Sequence, residues 1–272
     1  MEIYDIKGLS NEGLKRKENQ DRFIKPSKIP TINDEIPSKG CLIAVADGMG
    51  GHKGGGMAAQ IAVNVLENEY YKDKSQSITS SLKSAFSKAN QKIYLMATEN
   101  TEYKGMGTTL TAIVLKYNTF YFAHVGDSRG YIVSSRKIKQ FTQDHSIVAD
   151  LIKAKIITEK DAEKHPDRNV ITRALGVDKE LKVDVSEKPL KLKKNNYILL
   201  CSDGLYKVVD KNELKDVIFQ IKNPEEICNS FIEIANERGG PDNTTVVLAI
   251  QNDIKKKKTL LNSIKQIFTK KA

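Results

Sequence analysis

A chain of 272 residues, 39% apolar and 29% charged, can bury a substantial core in one large domain or two small ones. That excludes a disordered protein and a small scaffold held by disulfides. The formal net charge of +10 invites an anionic partner, but residues 251–272 alone carry seven lysines and one aspartate, so the excess is mostly a tail.

In chain order, the N-terminal MEIYDIKGLS lacks a basic region followed by an apolar stretch, so no secretion leader is expected. A short β-type run falls at 23–24, and 29–40, with two prolines and Asn33-Asp34, reads as a loop. The strand 41–46 runs into Asp47-Gly-Met-Gly-Gly-His-Lys-Gly-Gly-Gly, a loop with six glycines in ten residues. Two helices follow. Ala58, Ile61, Ala62, Val65 and Leu66 share a face of the first, and Ile78, Leu82, Ala85, Ala89 and Ile93 a face of the second.

Strands are predicted at 109–115, 120–125 and 131–133, then a charged helical insert at 144–168, in which Thr158 and Asp161 resemble a helix start. Strands at 183–185 and 197–201 precede a helix at 211–220 and another that opens on Pro224 and closes before Gly239. The last strand is 244–250. Strands and helices come in blocks, which argues for α+β with antiparallel sheets and against a doubly wound fold.

The three cysteines, Cys41, Cys201 and Cys228, are widely spaced and form no CxxC pair. They read as free thiols in a reducing compartment. Purely apolar runs reach only about five residues, far below the roughly 18 of a membrane span, so a soluble cytoplasmic protein is expected. Lysine outnumbers arginine 37 to 7, unlike a surface selected for bidentate base contacts, and no nucleic-acid partner is expected.

The informative feature is where certain aspartates fall. Asp47-Gly48 and Asp203-Gly204 end apolar strands, Asp127 ends a third, Asp242 stands just before the last strand, and Asp21 opens an early one. A single Asp-Gly pair is an ordinary turn. Several carboxylates converging at one end of the sheets would repel one another unless cations neutralised them. Oxygen-liganded Mg²⁺ or Mn²⁺ suits such a set, whereas the lack of HExxH, clustered His or paired Cys disfavours zinc. The glycine loop lacks the GK[ST] ending of a nucleotide P-loop.

Taken in order, these segments resemble the bacterial branch of the metal-dependent type 2C (PPM) serine/threonine protein phosphatases. The matching residues are Gly13–Asp21 (with Arg16 and Asn19), Val45–His52, Gly107-Thr108-Thr109, Val125–Arg129, Asp144-His145-Ser146, Arg168–Gly176, Ser202–Gly204 and Gly239–Asn243. Gln20 stands where the family more often has Glu, and it is left out of the metal set.

The resemblance implies an αββα sandwich, two antiparallel sheets flanked by helix pairs, with a flap at about 144–168. It divides the chain into a catalytic domain at 1–250 and a basic amphipathic tail at 251–272. It implies that Asp47 bridges two Mn²⁺ or Mg²⁺ ions, that Asp203 and Asp242 complete one, and that the Gly48 carbonyl and Asp21 serve the other. Asp127 with Asp203 would bind a third ion, approached by Asn169. A metal-bridged hydroxide would then hydrolyse phosphoserine or phosphothreonine in proteins, opposing a serine/threonine kinase. Arg16 is the candidate for holding phosphoryl oxygens, and His52 for protonating the leaving alkoxide.

Other polar residues have plainer roles. His124, in an apolar strand, reads as a hydrogen-bonded core histidine, Asp144-His145-Ser146 as helix-capping neighbours, and Arg129 as paired with a local carboxylate. His165, before Pro166, reads as a helix-end cation, and Gly107-Thr108-Thr109 as a strand with satisfied hydroxyls. In the tail, Leu260, Leu261, Ile264, Ile267 and Phe268 share one helical face after Lys255–Lys258, which suits a solvated helix or weak contact with an anionic membrane surface. The protein is expected to be a monomer. The competing functions are a non-catalytic interaction module on a phosphatase scaffold and a small-molecule phosphomonoesterase.

Overall fold

Every residue of the strand Cys41–Ala46 is buried, as a strand covered on both faces must be. The computed structural model describes residues 3–27, 29–31, 39–50 and 54–251. His52 and the tail after Gln251 lie outside the described residues.

The strands are β1 (Tyr4–Asn11), β2 (Arg22–Ile24), β3 (Cys41–Ala46), β4 (Gly48–Met49), β5 (Gly107–Thr108), β6 (Leu110–Lys116), β7 (Thr119–Val125), β8 (Arg129–Val133), β9 (Ile138–Gln140), β10 (Asp184–Val185), β11 (Leu190–Lys191), β12 (Tyr197–Cys201) and β13 (Thr244–Gln251). The helices are α1 (Gly54–Lys72), α2 (Ile78–Glu99), α3 (Ile147–Lys153), α4 (Glu159–Lys164), α5 (Asp203–Tyr206), α6 (Lys211–Ile221) and α7 (Pro224–Glu237). One antiparallel sheet has the order β1-β13-β12-β8-β9 and the other β10-β7-β6-β3-β2, with β11 also on β7 and β4 paired with β5 beside them.

The period of two along each strand sorts side chains into three apolar layers. From β3, Leu42, Ala44 and Ala46 face α1 and α2, where they meet Ala58, Ala62, Leu66, Leu82, Ala85 and Phe86. Cys41, Ile43 and Val45 point the other way, against Tyr4, Ile6, Ile198, Leu200, Val247 and Ala249 of the facing sheet. The outer face of that sheet, with Tyr131, Leu199, Cys201, Val246 and Leu248, packs on Leu214 and Ile218 of α6 and Ile227 and Phe231 of α7. The result is the αββα sandwich that the resemblance implied.

Helix starts follow capping chemistry. Ser77, Asp210 and Asn223 accept backbone N–H bonds at the starts of α2, α6 and α7. Thr158 and Asp161 form a complete capping box on α4: the Asp161 carboxylate accepts the Thr158 N–H at 2.9 Å, and Thr158 Oγ1 accepts the Asp161 N–H at 3.3 Å. The insert read as helical therefore holds α3 and α4. No helix among the described residues is long and apolar enough to cross a membrane.

The strand β1 is absent from the sequence-based expectations. Its YDIKGLSN contains Asp, Lys, Gly and Asn, all poor strand formers, and only Tyr4 and Ile6 are buried. It pairs along its whole length with β13. Gly8 gives its place to an aromatic ring, since a Cβ there would lie 2.7 Å from Phe23.

Candidate active site

The registers carry the strand ends to a common edge. Arg22 pairs with Ala46, Leu110 with Val125, and Cys201 with both Arg129 and Val246. Asp21, Asp47, Asp127, Asp203 and Asp242 lie one or a few residues beyond those pairs, so both sheets deliver them to the same place. Asp47 feels the charge of the other four.

Backbone contacts hold Asp47. Its N–H donates to Thr109 Oγ1 at 3.0 Å, and its carbonyl accepts from the Thr109 N–H and the Thr108 hydroxyl, both at 2.9 Å. This satisfies the two threonine hydroxyls, as expected. The Asp47 carboxylate itself meets no hydrogen-bond donor among the described residues. Enclosure by protein and the neighbouring Asp21, Asp203, Asp127 and Asp242 push its pKa well above the ordinary value.

Asp21 is 2% exposed and accepts a 2.7 Å bond from Ser202 on Oδ2, while its buried Oδ1 meets no hydrogen-bond partner among the described residues. Burial raises its pKa to about 7 despite that bond, with Asp203 and Asp242 adding to the rise. Asp127, 6% exposed, is likewise pushed up to about 7 by burial and then by Asp203, with Lys207 opposing.

Gly48 has no room for a side chain. A Cβ would lie 2.2 Å from the Gly55 carbonyl oxygen and 2.7 Å from that of Gln20, both backbone atoms. Gly48 thus packs tightly against the start of α1, beside Asp47. Gly48→Ala is expected to destabilise the protein by about 1–3 kcal/mol, as overpacking does. The urea midpoint would measure this, and an unchanged midpoint would contradict the close approach.

Two carboxylates face basic side chains. Arg16 donates to Asp242 Oδ2 at 2.7 Å, and Lys207 Nζ lies 2.5 Å from Asp203 Oδ2. As the side chains stand, no three His, Cys, Asp or Glu groups among the described residues are gathered to hold one ion. The structure therefore brings Arg16, Asp21, Asp47, Gly48, Asp127, Asp203 and Asp242 to one edge and leaves His52 undescribed.

Four neighbours were not among the expected site residues. Ser202 ties Asp21 to β13 through the Thr245 N–H, which donates to it at 2.9 Å. Asn243 clamps the loop that carries Arg16: Oδ1 accepts the Gln20 N–H at 2.8 Å, and Nδ2 donates to the carbonyls of Glu12 and Glu18 at 2.9 and 3.0 Å. Tyr206 donates to Asp127 Oδ2 at 3.2 Å and lies under the Arg129 guanidinium, 3.7 Å from the ring centre. Arg129 in turn pairs with Asp144 at 2.7 Å, the local carboxylate expected for it. Lys207 is the fourth. Ser202 and Asn243 each adjoin an expected aspartate, and Tyr206 and Lys207 lie three and four residues past Asp203; that spacing was the available signal.

The remaining histidines have structural roles. His124 is fully buried between the Thr111 hydroxyl and the Gln143 carbonyl, and burial lowers its pKa to about 4. His145 accepts the Gly126 N–H at 3.0 Å while Ser146 caps α3, and His165 ends α4.

Known proteins with this arrangement decide the family. The model of the family described as protein phosphatase 2C matches residues 8–244. The chain belongs to the protein phosphatase 2C family. A serine/threonine phosphatase stp of Listeria welshimeri is 36% identical over 219 residues, which cover 79% of this chain and 86% of the relative. The structure of the S. agalactiae serine/threonine phosphatase superposes with a TM-score of 0.83 at 32% identity, covering 92% of this chain and all of that one. The catalytic domain of the serine/threonine protein phosphatase PstP, solved in complex with two manganese ions, superposes at 0.78 and 30% identity over 93% of this chain and all of that domain. The chain is accordingly a bacterial-type protein phosphatase of the 2C family, an enzyme as the motifs implied.

Proposed function

We propose that this phosphatase hydrolyses phosphoserine and phosphothreonine in proteins with Mn²⁺ or Mg²⁺ at the aspartate edge. The observation that carries the metal requirement is the gathering of Asp47 with four other carboxylates that repel it, of which Asp21 keeps a buried oxygen without a partner among the described residues. The donor set fits hard cations, being all carboxylate and carbonyl oxygen. Asp47, Asp203 and Asp242 would hold one ion, and Asp47, the Gly48 carbonyl and Asp21 the other. Asp127 with Asp203 would serve a third. Bound there, the ions supply an activated water and neutralise charge on the phosphoryl oxygens.

The chain's own residues do the rest. Arg16 has a side chain 58% exposed and paired with Asp242, so its guanidinium sits at the mouth of the centre. From there it can exchange that carboxylate for two phosphoryl oxygens. His52, in the glycine loop, is assigned proton donation to the leaving alkoxide on its motif alone. The partner that makes the substrate is a serine/threonine kinase, and the working unit is a monomer.

Turnover of a phosphothreonine peptide by the purified chain, with Mn²⁺ and with a chelator, tests this reading. Mn²⁺-dependent turnover is expected, together with a higher kcat/KM on the peptide than on metabolite phosphates. No Mn²⁺-dependent turnover, or full turnover by Asp203→Asn, would overturn it.

A further inference from the structure

Lys207 touches two things that the reaction scheme above does not connect. Its Nζ lies 2.5 Å from Asp203 Oδ2, one helical turn earlier, and 2.8 Å from Asn169 Oδ1. Asn169 stands at the C-terminal foot of the insert, and the chain around it is pinned to the start of α3: the Ile147 N–H donates to the Val170 carbonyl at 3.0 Å, and the Val170 N–H to the Asp167 carbonyl at 3.0 Å. The Lys207 ammonium thus lies between the Asp203 carboxylate and the Asn169 amide oxygen. One ammonium therefore joins a carboxylate of the aspartate edge to the C-terminal foot of the insert.

We propose that Lys207 is a positioning residue that links the insert to the occupancy of Asp203. An ammonium and a divalent cation are rival partners for one carboxylate, because each needs its negative charge and they repel each other. A cation drawn to Asp203 loosens Lys207, and with it the hold on Asn169, so the insert becomes freer as the centre fills. Lys207 also sets how readily Asp203 accepts a cation. This rests on the metal reading proposed above.

The test uses the full chain, with Mn²⁺ as the probe. Hydrogen exchange of peptides covering 147–170 is followed in chelator and in Mn²⁺, and Mn²⁺ affinity is measured by calorimetry. In the wild type, Mn²⁺ is expected to speed exchange of that segment. In Lys207→Met, exchange is expected to be fast already and insensitive to Mn²⁺, with affinity about two- to five-fold tighter, the value of a partly exposed ion pair. Asn169→Ala separates the link from simple charge removal. It should make exchange insensitive to Mn²⁺ and, because the coupling is reciprocal, tighten Mn²⁺ binding by less than Lys207→Met does.

If Asn169→Ala instead weakens Mn²⁺ binding, Asn169 serves the ion and the link is wrong. Mn²⁺ binding without any change in wild-type exchange overturns the link alone. Failure of the wild type to bind Mn²⁺ at all overturns the metal reading, and the link with it.

Discussion

Asp47→Asn is expected to abolish phosphatase turnover and, in the presence of a chelator, to raise the melting temperature. The two effects have one cause. Asp47 is surrounded by Asp21, Asp203, Asp127 and Asp242, and its carboxylate meets no hydrogen-bond donor among the described residues. Its backbone bonds to Thr108 and Thr109 do not depend on the side chain. The amide of Asn is almost isosteric and uncharged, so the substitution removes repulsion and breaks no hydrogen bond among the described residues.

Relief of repulsion at a buried carboxylate is worth about 2 kcal/mol, or roughly 4–8 °C in a domain of this size. Activity moves the other way. Changes in the outer shell of metal sites cost about 10–100-fold, so loss of a carboxylate that the proposed ions would share should cost at least about 100-fold. Thermal melts in chelator and peptide turnover in Mn²⁺ measure the two sides. A lower melting temperature in chelator would mean that Asp47 is structural, and turnover within tenfold of the wild type would remove it from the metal set.

That trade-off explains why the site was more legible in the sequence than parts of the fold. Asp47 and Asp203 follow runs such as CLIAVA and YILLC, where burial is nearly complete, so a carboxylate at the end of each is conspicuous against its background. Periodicity marked the strands that are covered on both faces and the helices that lie on them. It failed at β1, which earns its place through backbone pairing with β13 and carries no apolar alternation beyond Tyr4 and Ile6. It failed too at short β9 and β11, which are too brief for a period to register.

The convergence of the aspartates was an inference from motif order, whereas the register makes it a consequence. Antiparallel pairing places the end of β7 beside the start of β6 and the end of β12 beside the start of β8. The contacts that tune the site were the least legible. Ser202 on Asp21, Tyr206 on Asp127 and Lys207 on Asp203 depend on how α5 turns after β12, and no spacing rule states which side chain will face which carboxylate.

Stabilisation by Mn²⁺ is expected to grow as pH rises from 6 to 8. Asp21 and Asp127 have folded-state pKa values pushed up to about 7, and Asp47 lies well above its ordinary value. A carboxyl whose pKa is higher folded than unfolded binds its proton more tightly in the folded chain. Its contribution to stability is present below the unfolded value near 4 and is lost as pH rises through about 7. In chelator, this centre therefore destabilises the fold most on the alkaline side. A cation requires the same groups deprotonated, so below their pKa it must first displace protons.

Each proton displaced weakens apparent affinity about tenfold per pH unit, close to 1.4 kcal/mol of linked stability at subsaturating pH. For a domain of this size that is roughly 3–6 °C per proton and per unit. The measurement is the difference in melting temperature between Mn²⁺ and chelator at pH 6, 7 and 8, for the wild type and for Asp127→Asn. The wild-type difference should widen steadily, and the variant, with one titrating carboxyl fewer, should show a shallower rise. A difference that stays flat across this range would mean that these carboxylates are already ionised at pH 6, and that repulsion among them is not what the cations relieve.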